Sequence, residues 1–265
     1  MMHTVIAAFD PISQSELVYL KQYRQNHQLR DLYVGIKKEG ILPYEVRKEL
    51  VRTVLLPYRH LHVSEETEGE EIPETDEESI RSGLFYLAAR GIKKYLLENG
   101  LYFEEIVRHR CKERRAQHSL SVAATAVKLA RMHGCDERRA WQAGMLHDVT
   151  KAWSEEEHEK LLKIYDPGKL TYESPVWHSF TAVYWLRENT GIHDQKILNA
   201  IFCHTLGNGK SDLDHILYIA DKIEPNRKYD TSVYWQIAGR SLREAADKVH
   251  YDAKQYILKT EGRHV

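Results

Sequence analysis

Ala143-Gly144-Met145-Leu146-His147-Asp148-Val149-Thr150-Lys151 is the stretch around which this 265-residue chain is organised. An apolar helical run delivers an imidazole, a carboxylate and, three residues later, an ammonium group to one place. His147 and Asp148 offer one nitrogen and one oxygen ligand to a divalent or trivalent metal, while Lys151 can neutralise a bound anion. That is the chemistry of a metal-phosphate site. A lone His-Asp pair more often marks a helix end or a surface hydrogen bond. The reading changes because His118, His178, His204 and Asp221 recur at intervals that helix geometry can bring together.

Ala116 to Met132 carries Leu120, Ala124, Val127 and Leu129 at helical spacing and stops at Gly134, and Asp136 is placed to cap a helix running to His147. From His118 to the hinge near Gly134 is about 16 residues, roughly 24 Å of helix, and from the hinge to His147 about 12, roughly 18 Å. Folded back, the two histidines lie within about a turn of each other. Ser154 with Glu157 is a capping-box start, broken at Asp166-Pro167-Gly168. Ser174-Pro175 opens a helix running to Asn189 and halted at Gly191, after which Asp194 caps another through His204. His178 and His204 stand roughly 18 to 20 Å either side of that hinge and should face each other. Asp212 to Lys222 forms a helix bearing Asp221 before Pro225, and Leu242 to Lys259 a closing one. A bundle of about six helices is expected.

Asp221 follows the apolar run Ile216 to Ala220, where a carboxylate is costly unless paired or metal-bound, so it is expected to be a ligand. His178 and His204 are either satisfied core histidines or site residues, in which case they contact phosphate or serve a second metal. Arg115, Lys151 and Arg227 are residue types usually found on surfaces, but a polyphosphate needs several cations. Within the basic run from Arg108 to Arg115, most charges read as solvated helix face. Cys203 is expected to be an inert buried thiol, and His133, His158, His193, His215 and His250 to be structural.

Lys plus Arg 38 against Asp plus Glu 39 leaves a net charge of −1, which provides no overall electrostatic case for nucleic-acid or anionic-membrane binding but permits a small anionic ligand. Cys111, Cys135 and Cys203 lack Cys-x-x-Cys spacing, against a disulfide framework and for a reducing cytoplasm. The start, Met1 to Asp10, does not read as a leader, and no stretch approaches the roughly 20 apolar residues of a membrane span. The length accommodates two domains.

Residues 1–104 read as a small α/β domain: strand His3 to Ala8, turn Phe9-Asp10-Pro11-Ile12, helix Ser15 to Gln25, strand Leu32 to Ile36, helix Pro43 to Leu55 and strand Tyr58 to Val63. Glu65 to Glu78 is expected to be a solvated mobile loop, and Ser79 to Asn99 a helix capped by Gly100. The proline turn after a strand, with Gly91 to Tyr102 at the far end, resembles a shortened nicotinate-nucleotide adenylyltransferase of Rossmann-like fold. Where that family's His-x-Gly-His motif would stand, this chain has Ser13, Gln14, Ser15 and Glu16. Where it has a serine-rich run before Ile-Arg, this chain has Thr75-Asp76-Glu77-Glu78-Ser79-Ile80-Arg81. Those carboxylates would repel phosphate, so a remnant without adenylyl-transfer activity is expected.

From residue 105 the motifs Arg115-x-x-His118, His147-Asp148-x-x-Lys151, His178-Ser179, His204-Thr205-x-Gly207 and Ile219-Ala220-Asp221-Lys222-Ile223-Glu224-Pro225-x-Arg227 resemble the YqeK-type HD-domain symmetrical diadenosine tetraphosphatases of bacteria. The likeness spans about Val107 to Thr260. It implies an all-α HD domain over 105–265, and thus an α+β chain overall. It also implies iron, with manganese or another divalent metal as an alternative, held by His118, His147, Asp148 and Asp221. The nucleoside diphosphate would then contact Asp148, Val149, Thr150, Lys151, His178, His204, Thr205, Asp221 and Arg227. In the family a C-terminal segment also reaches the nucleotide, where this chain has Gly262-Arg263-His264-Val265. An adenylyltransferase fused ahead of such a phosphatase is likewise a family arrangement.

The activity expected is cleavage of diadenosine tetraphosphate to two ADP. In this reading Asp148 and Lys151 are central, and His178 or His204 protonates the leaving diphosphate. A homodimer is the assembly allowed for. Two rivals stay open, an HD nucleotide phosphomonoesterase and a non-catalytic nucleotide sensor.

Overall fold

The computed structural model describes residues 3–261 and divides into two compact units, Met1–Tyr102 with Asn189–Gly191, and Phe103–Glu188 with Ile192–Val265. Gly262-Arg263-His264-Val265, where the C-terminal nucleotide contact of the family would fall, lies outside the described residues, as do Met1 and Met2.

In the first unit β1 (Thr4–Ala7), α1 (Gln14–Asn26), β2 (Leu32–Ile36), α2 (Tyr44–Leu55), β3 (Leu61–Val63) and β4 (Glu70–Glu71) form a parallel sheet of order β3-β2-β1-β4. Val5, Ala7, Leu32, Val34 and Ile36 are fully buried, the continuous apolar run expected of parallel strands covered on both faces. β4 corrects the expected loop over Glu65 to Glu78. Glu70 and Glu71 keep their side chains in solvent while their backbone pairs with Val5 and Ile6, and the following Ile72 is buried. Composition saw the solvated carboxylates and missed the backbone ladder beneath them.

The single helix expected over Ser79 to Asn99 is also corrected. The chain forms α3 (Glu77–Arg81), a 3₁₀ turn at Phe85–Leu87 and α4 (Lys93–Asn99), capped by Gly100. Gly83 and Gly91 take φ of 110° and 108°, conformations open to glycine that end a helix wherever they occur.

The second unit is helical. Its helices are α5 (Phe103–Arg110), α6 (Glu113–Met132), α7 (Glu137–Leu146), α8 (Glu155–Tyr165), α9 (Trp177–Trp185), α10 (Gln195–Cys203), α11 (Asp212–Ile223), α12 (Ser232–Ala238) and α13 (Leu242–Glu261). This is more than the six or so expected, because the short α5 and α12 were not read as elements of the bundle. Asp136 and Ser154 cap α7 and α8 as their sequences predict, Ser154 in a capping box with Glu157. Beyond α9 the helix widens into a π turn, Leu186–Thr190, before Gly191.

The buried face of α6 differs from the expected one. Ala116, Val122, Ala123, Ala126, Leu129 and Ala130 are buried, whereas Ala124 is exposed and Leu120 and Val127 only partly covered. The reason is close packing of small residues. A Cβ built on Gly144 of α7 would stand 2.5 Å from the Cα of Ala123, so the two helices meet backbone to backbone. The hairpin arithmetic depends on that approach, and it sets His118 and His147 side by side.

Candidate active site

Five helices and their ends supply the site. His118 lies in the second turn of α6, and His147 and Asp148 just past α7. His178 opens α9, His204 follows α10, and Asp221 sits in the last turn of α11. The imidazole centroids of His118 and His147 are 5.4 Å apart, those of His147 and His204 5.0 Å, and those of His178 and His204 5.1 Å. Both hairpin expectations are therefore met.

Asp148 is the junction. Its Oδ2 lies 3.4 Å from Nε2 of His147, 4.0 Å from Nε2 of His118 and 2.9 Å from Nη1 of Arg115. Its Oδ1 lies 3.2 Å from Nε2 of His178 and 3.7 Å from Nε2 of His204. Asp221 Oδ1 stands 3.0 Å from Nε2 of His118 and 4.0 Å from that of His147, and Asp221 also binds Lys222 at 2.7 Å and Arg227 at 2.9 Å.

Every imidazole turns the same way. Nδ1 is held by an acceptor in each case: Glu224 Oε1 for His118 at 3.3 Å, and the carbonyls of Gly144 for His147 at 2.7 Å, Pro175 for His178 at 2.8 Å and Ile201 for His204 at 2.6 Å. With the proton on Nδ1, the Nε2 lone pairs of all four point toward Asp148 and Asp221. His118 Nε2 and His147 Nε2 are buried and make no hydrogen bond among the described residues. Lone pairs gathered against two carboxylates are repulsive unless a cation lies among them, so the donor set fits a metal ion. Two ligand groups meet that requirement, His118-His147-Asp148 and Asp148-His178-His204. Two nitrogens and carboxylate oxygens suit iron, manganese or zinc alike.

The electrostatics agree. Burial would raise Asp148, but the imidazoles of His147, His178 and His204 gathered around it hold it well below the usual carboxylate range. Burial likewise opposes ionisation of Asp221, and Lys222, His118 and His147 outweigh it. Burial pulls His178 down to about 4 and lowers His204, which leaves both neutral near pH 7. Burial also lowers Lys151, whose Nζ stands 3.0 Å from Nδ1 of His178.

Among the other expected contacts, Thr205 Oγ1 lies 3.3 Å from Nε2 of both His178 and His204, facing the site. Val149 is buried, and Thr150 donates its hydroxyl to the His178 carbonyl at 3.0 Å, so neither side chain is presented to a ligand. Cys203 is half-buried rather than buried, and burial still pushes its thiol up to about 11. Sequence reasoning missed Glu224 and Lys222 as parts of the site, although both stand in the quoted motif and Glu224 falls one helical turn after Asp221.

A cavity of about 1100 Å³ opens beside His118 and Glu224. Lys112, Arg114, Arg115, Arg227, Lys228 and Tyr229 line it. Among the described residues no helix is long and apolar enough to cross a membrane.

A helical unit that converges one histidine, a His-Asp pair and a distant aspartate on a common point defines a metal-dependent HD-domain hydrolase, and residues 115–226 match the HD domain family. The chain is 35% identical over 128 residues to the symmetrical bis(5'-nucleosyl)-tetraphosphatase of Halalkalibacterium halodurans, covering 47% of this chain and 68% of that one. It is 34% identical over 126 residues to the enzyme of the same name from Bacillus subtilis, with coverage of 46% and 68%. A Mycoplasma pneumoniae protein described as a probable nicotinate-nucleotide adenylyltransferase/Ap4A hydrolase is 35% identical over 138 residues, 51% of this chain and 40% of that one. Among solved structures, a predicted HD superfamily hydrolase involved in NAD metabolism from Clostridium acetobutylicum superposes with a TM-score of 0.54 at 29% identity, covering 60% of this chain and 87% of that one. The chain belongs to the family of symmetrical bis(5'-nucleosyl)-tetraphosphatases that carry an HD domain.

Proposed function

We propose that the second unit hydrolyses diadenosine tetraphosphate, and related dinucleoside polyphosphates, symmetrically to two nucleoside diphosphates, with iron as the resident metal. The observation that carries this reading is the adjacency of the shared His/Asp cluster to a cavity rich in lysine and arginine. His118, His147, Asp148 and Asp221 would hold the ion, with His178 and His204 beside Asp148 available for phosphate or a second ion. When bound, the metal supplies Lewis acidity toward a phosphoryl oxygen and lowers the pKa of water near it.

The chain's own groups then bind and orient the polyphosphate. Lys151, Arg115 and Arg227 offset charge on the non-bridging oxygens, and Thr205 offers a hydroxyl between the two outer imidazoles. Being neutral at pH 7, His178 is suited to position substrate rather than to protonate the leaving group. A departing ADP is itself a stabilised phosphate anion whose charge Lys151 and Arg227 can meet. The three free cysteines accord with a reducing, cytoplasmic setting.

Product analysis tests the reading. Full-length protein loaded anaerobically with iron should convert diadenosine tetraphosphate to ADP alone. Inorganic phosphate from AMP or dAMP would favour the phosphomonoesterase, and binding without turnover the sensor.

For the first unit we propose a structural role without adenylyl transfer. Ser13 and Glu16 are spent on a capping box at α1. Glu77 accepts from the Asp10 amide at 3.1 Å and from Arg81 at 3.2 Å, which occupies the one cation of the Ile-Arg motif. Full-length protein given ATP and nicotinate mononucleotide should release no pyrophosphate.

A further inference from the structure

At about 1100 Å³ the cavity next to the candidate metal ligands exceeds the roughly 300–1,000 Å³ typical of small-ligand pockets. It also lies to one side. Lys151, His178, His204 and Thr205 gather at Asp148 Oδ1 and do not line it, whereas His118 and Arg115, which do, belong to the Oδ2 side.

Its outer wall is cationic and uncompensated. Lys112, Arg114 and Lys228 are exposed, and among the described residues none of them makes an ion pair or a side-chain hydrogen bond. Arg108, four residues before Lys112, is by contrast held by Glu104 at 2.7 Å and Glu113 at 3.0 Å. Unpaired cations on one wall of a cavity leave charge available to an anion. Tyr229 adds an aromatic face to the same wall. Its ring is half exposed, and its hydroxyl donates to the Lys222 carbonyl, which fixes the orientation of the ring. A flat, fixed, solvent-facing ring is what a purine base stacks on.

We propose that this wall is the subsite for the distal nucleotide arm, the half of the dinucleotide that leaves on the Oδ2 side. Arg114 and Lys228 take its phosphates, and Tyr229 stacks on its base. The assignment rests on the function proposed above and makes Tyr229 a specificity-determining residue that tells a two-armed substrate from a one-armed one.

The test compares diadenosine tetraphosphate as substrate with adenosine 5'-tetraphosphate, which keeps four phosphates and lacks the second base, as competing inhibitor. In iron-loaded full-length protein, Tyr229→Ala should raise KM for the two-armed substrate about tenfold, leave kcat within twofold, and leave the inhibition constant of the one-armed compound unchanged. Arg114→Gln with Lys228→Gln should weaken both ligands, because both carry the distal phosphates. A Tyr229→Ala protein whose KM is unchanged, or whose affinity for both compounds falls equally, overturns the subsite. Failure of the wild-type protein to cleave the dinucleotide overturns the proposed function, and the subsite with it.

Discussion

Glu224 stands behind His118, its Oε1 3.3 Å from Nδ1 of the imidazole, and the carboxylate is almost fully buried. It fixes the tautomer that leaves Nε2 aimed at the shared cluster, and its negative charge makes that nitrogen a better donor. Outer carboxylates of this kind typically change metal affinity by about 10–100-fold when removed. Glu224→Gln should therefore weaken iron or manganese binding on that scale, measured by competition with a metal-sensitive dye, while Tm of the metal-free protein changes little. Unchanged affinity would show that His118 needs no second partner.

Glu224 also marks the limit of sequence reasoning. Both hairpins were legible because helix rise converts residue counts into distances, and the capping signals at Asp136 and Asp194 fixed where the counting starts. The orientation of each imidazole was not legible. The groups that set it are mostly backbone carbonyls, at Gly144, Pro175 and Ile201, and a carbonyl has no residue type to read. The packed face of α6 escaped for a related reason. Hydrophobic periodicity weighs Leu120 and Val127 above alanine, yet the contact with α7 is made by its smallest side chains.

Gly144 provides a second expectation. Adding a methyl group there places carbon 2.5 Å from Ala123 Cα and 2.8 Å from its amide nitrogen, and backbone atoms in the middle of a helix cannot step aside. Gly144→Ala should destabilise the protein by about 1–3 kcal/mol, the usual cost of overpacking. Because the same displacement separates His118 from His147, metal affinity should fall as well. A thermal melt and a metal titration on one preparation decide whether the two losses occur together.

Removing metal should be felt in stability as well as in turnover. Without a cation, buried Asp148 and Asp221 face the lone pairs of their histidine neighbours. A ligand held at about 100 times its Kd stabilises the folded state by about 2.7 kcal/mol, which for a protein of this size corresponds to a Tm change of roughly 5–10 °C. Chelation followed by dialysis should lower Tm by that amount, and iron or manganese should restore it where magnesium does not. A melt indifferent to metal would mean that the cluster is balanced by protons alone.

The first unit has a pH dependence of its own. Burial pushes Glu16 up from its ordinary 4.5 to about 8, while its carboxylate caps α1. Between those values the folded chain keeps a proton that the unfolded chain has lost. The stabilisation is thus complete below pH 4.5 and is lost as pH rises toward 8. Glu16→Gln keeps the acceptor oxygen and removes the titration. Wild-type Tm should fall by roughly 10 °C more than that of the variant between pH 5 and 8.5, the effect of about 4 kcal/mol. Parallel melting curves would show that Glu16 is ionised throughout.

The placement of Asp148 constrains how this centre can change. One carboxylate group stands in both donor sets, with an oxygen turned to each, while each set keeps its own pair of histidines. A substitution at Asp148 would therefore change both sides at once. The centre is indivisible in the sense that a keystone is, and variation in this chain is therefore free mainly in the surrounding shell of cations, where each contact stands alone.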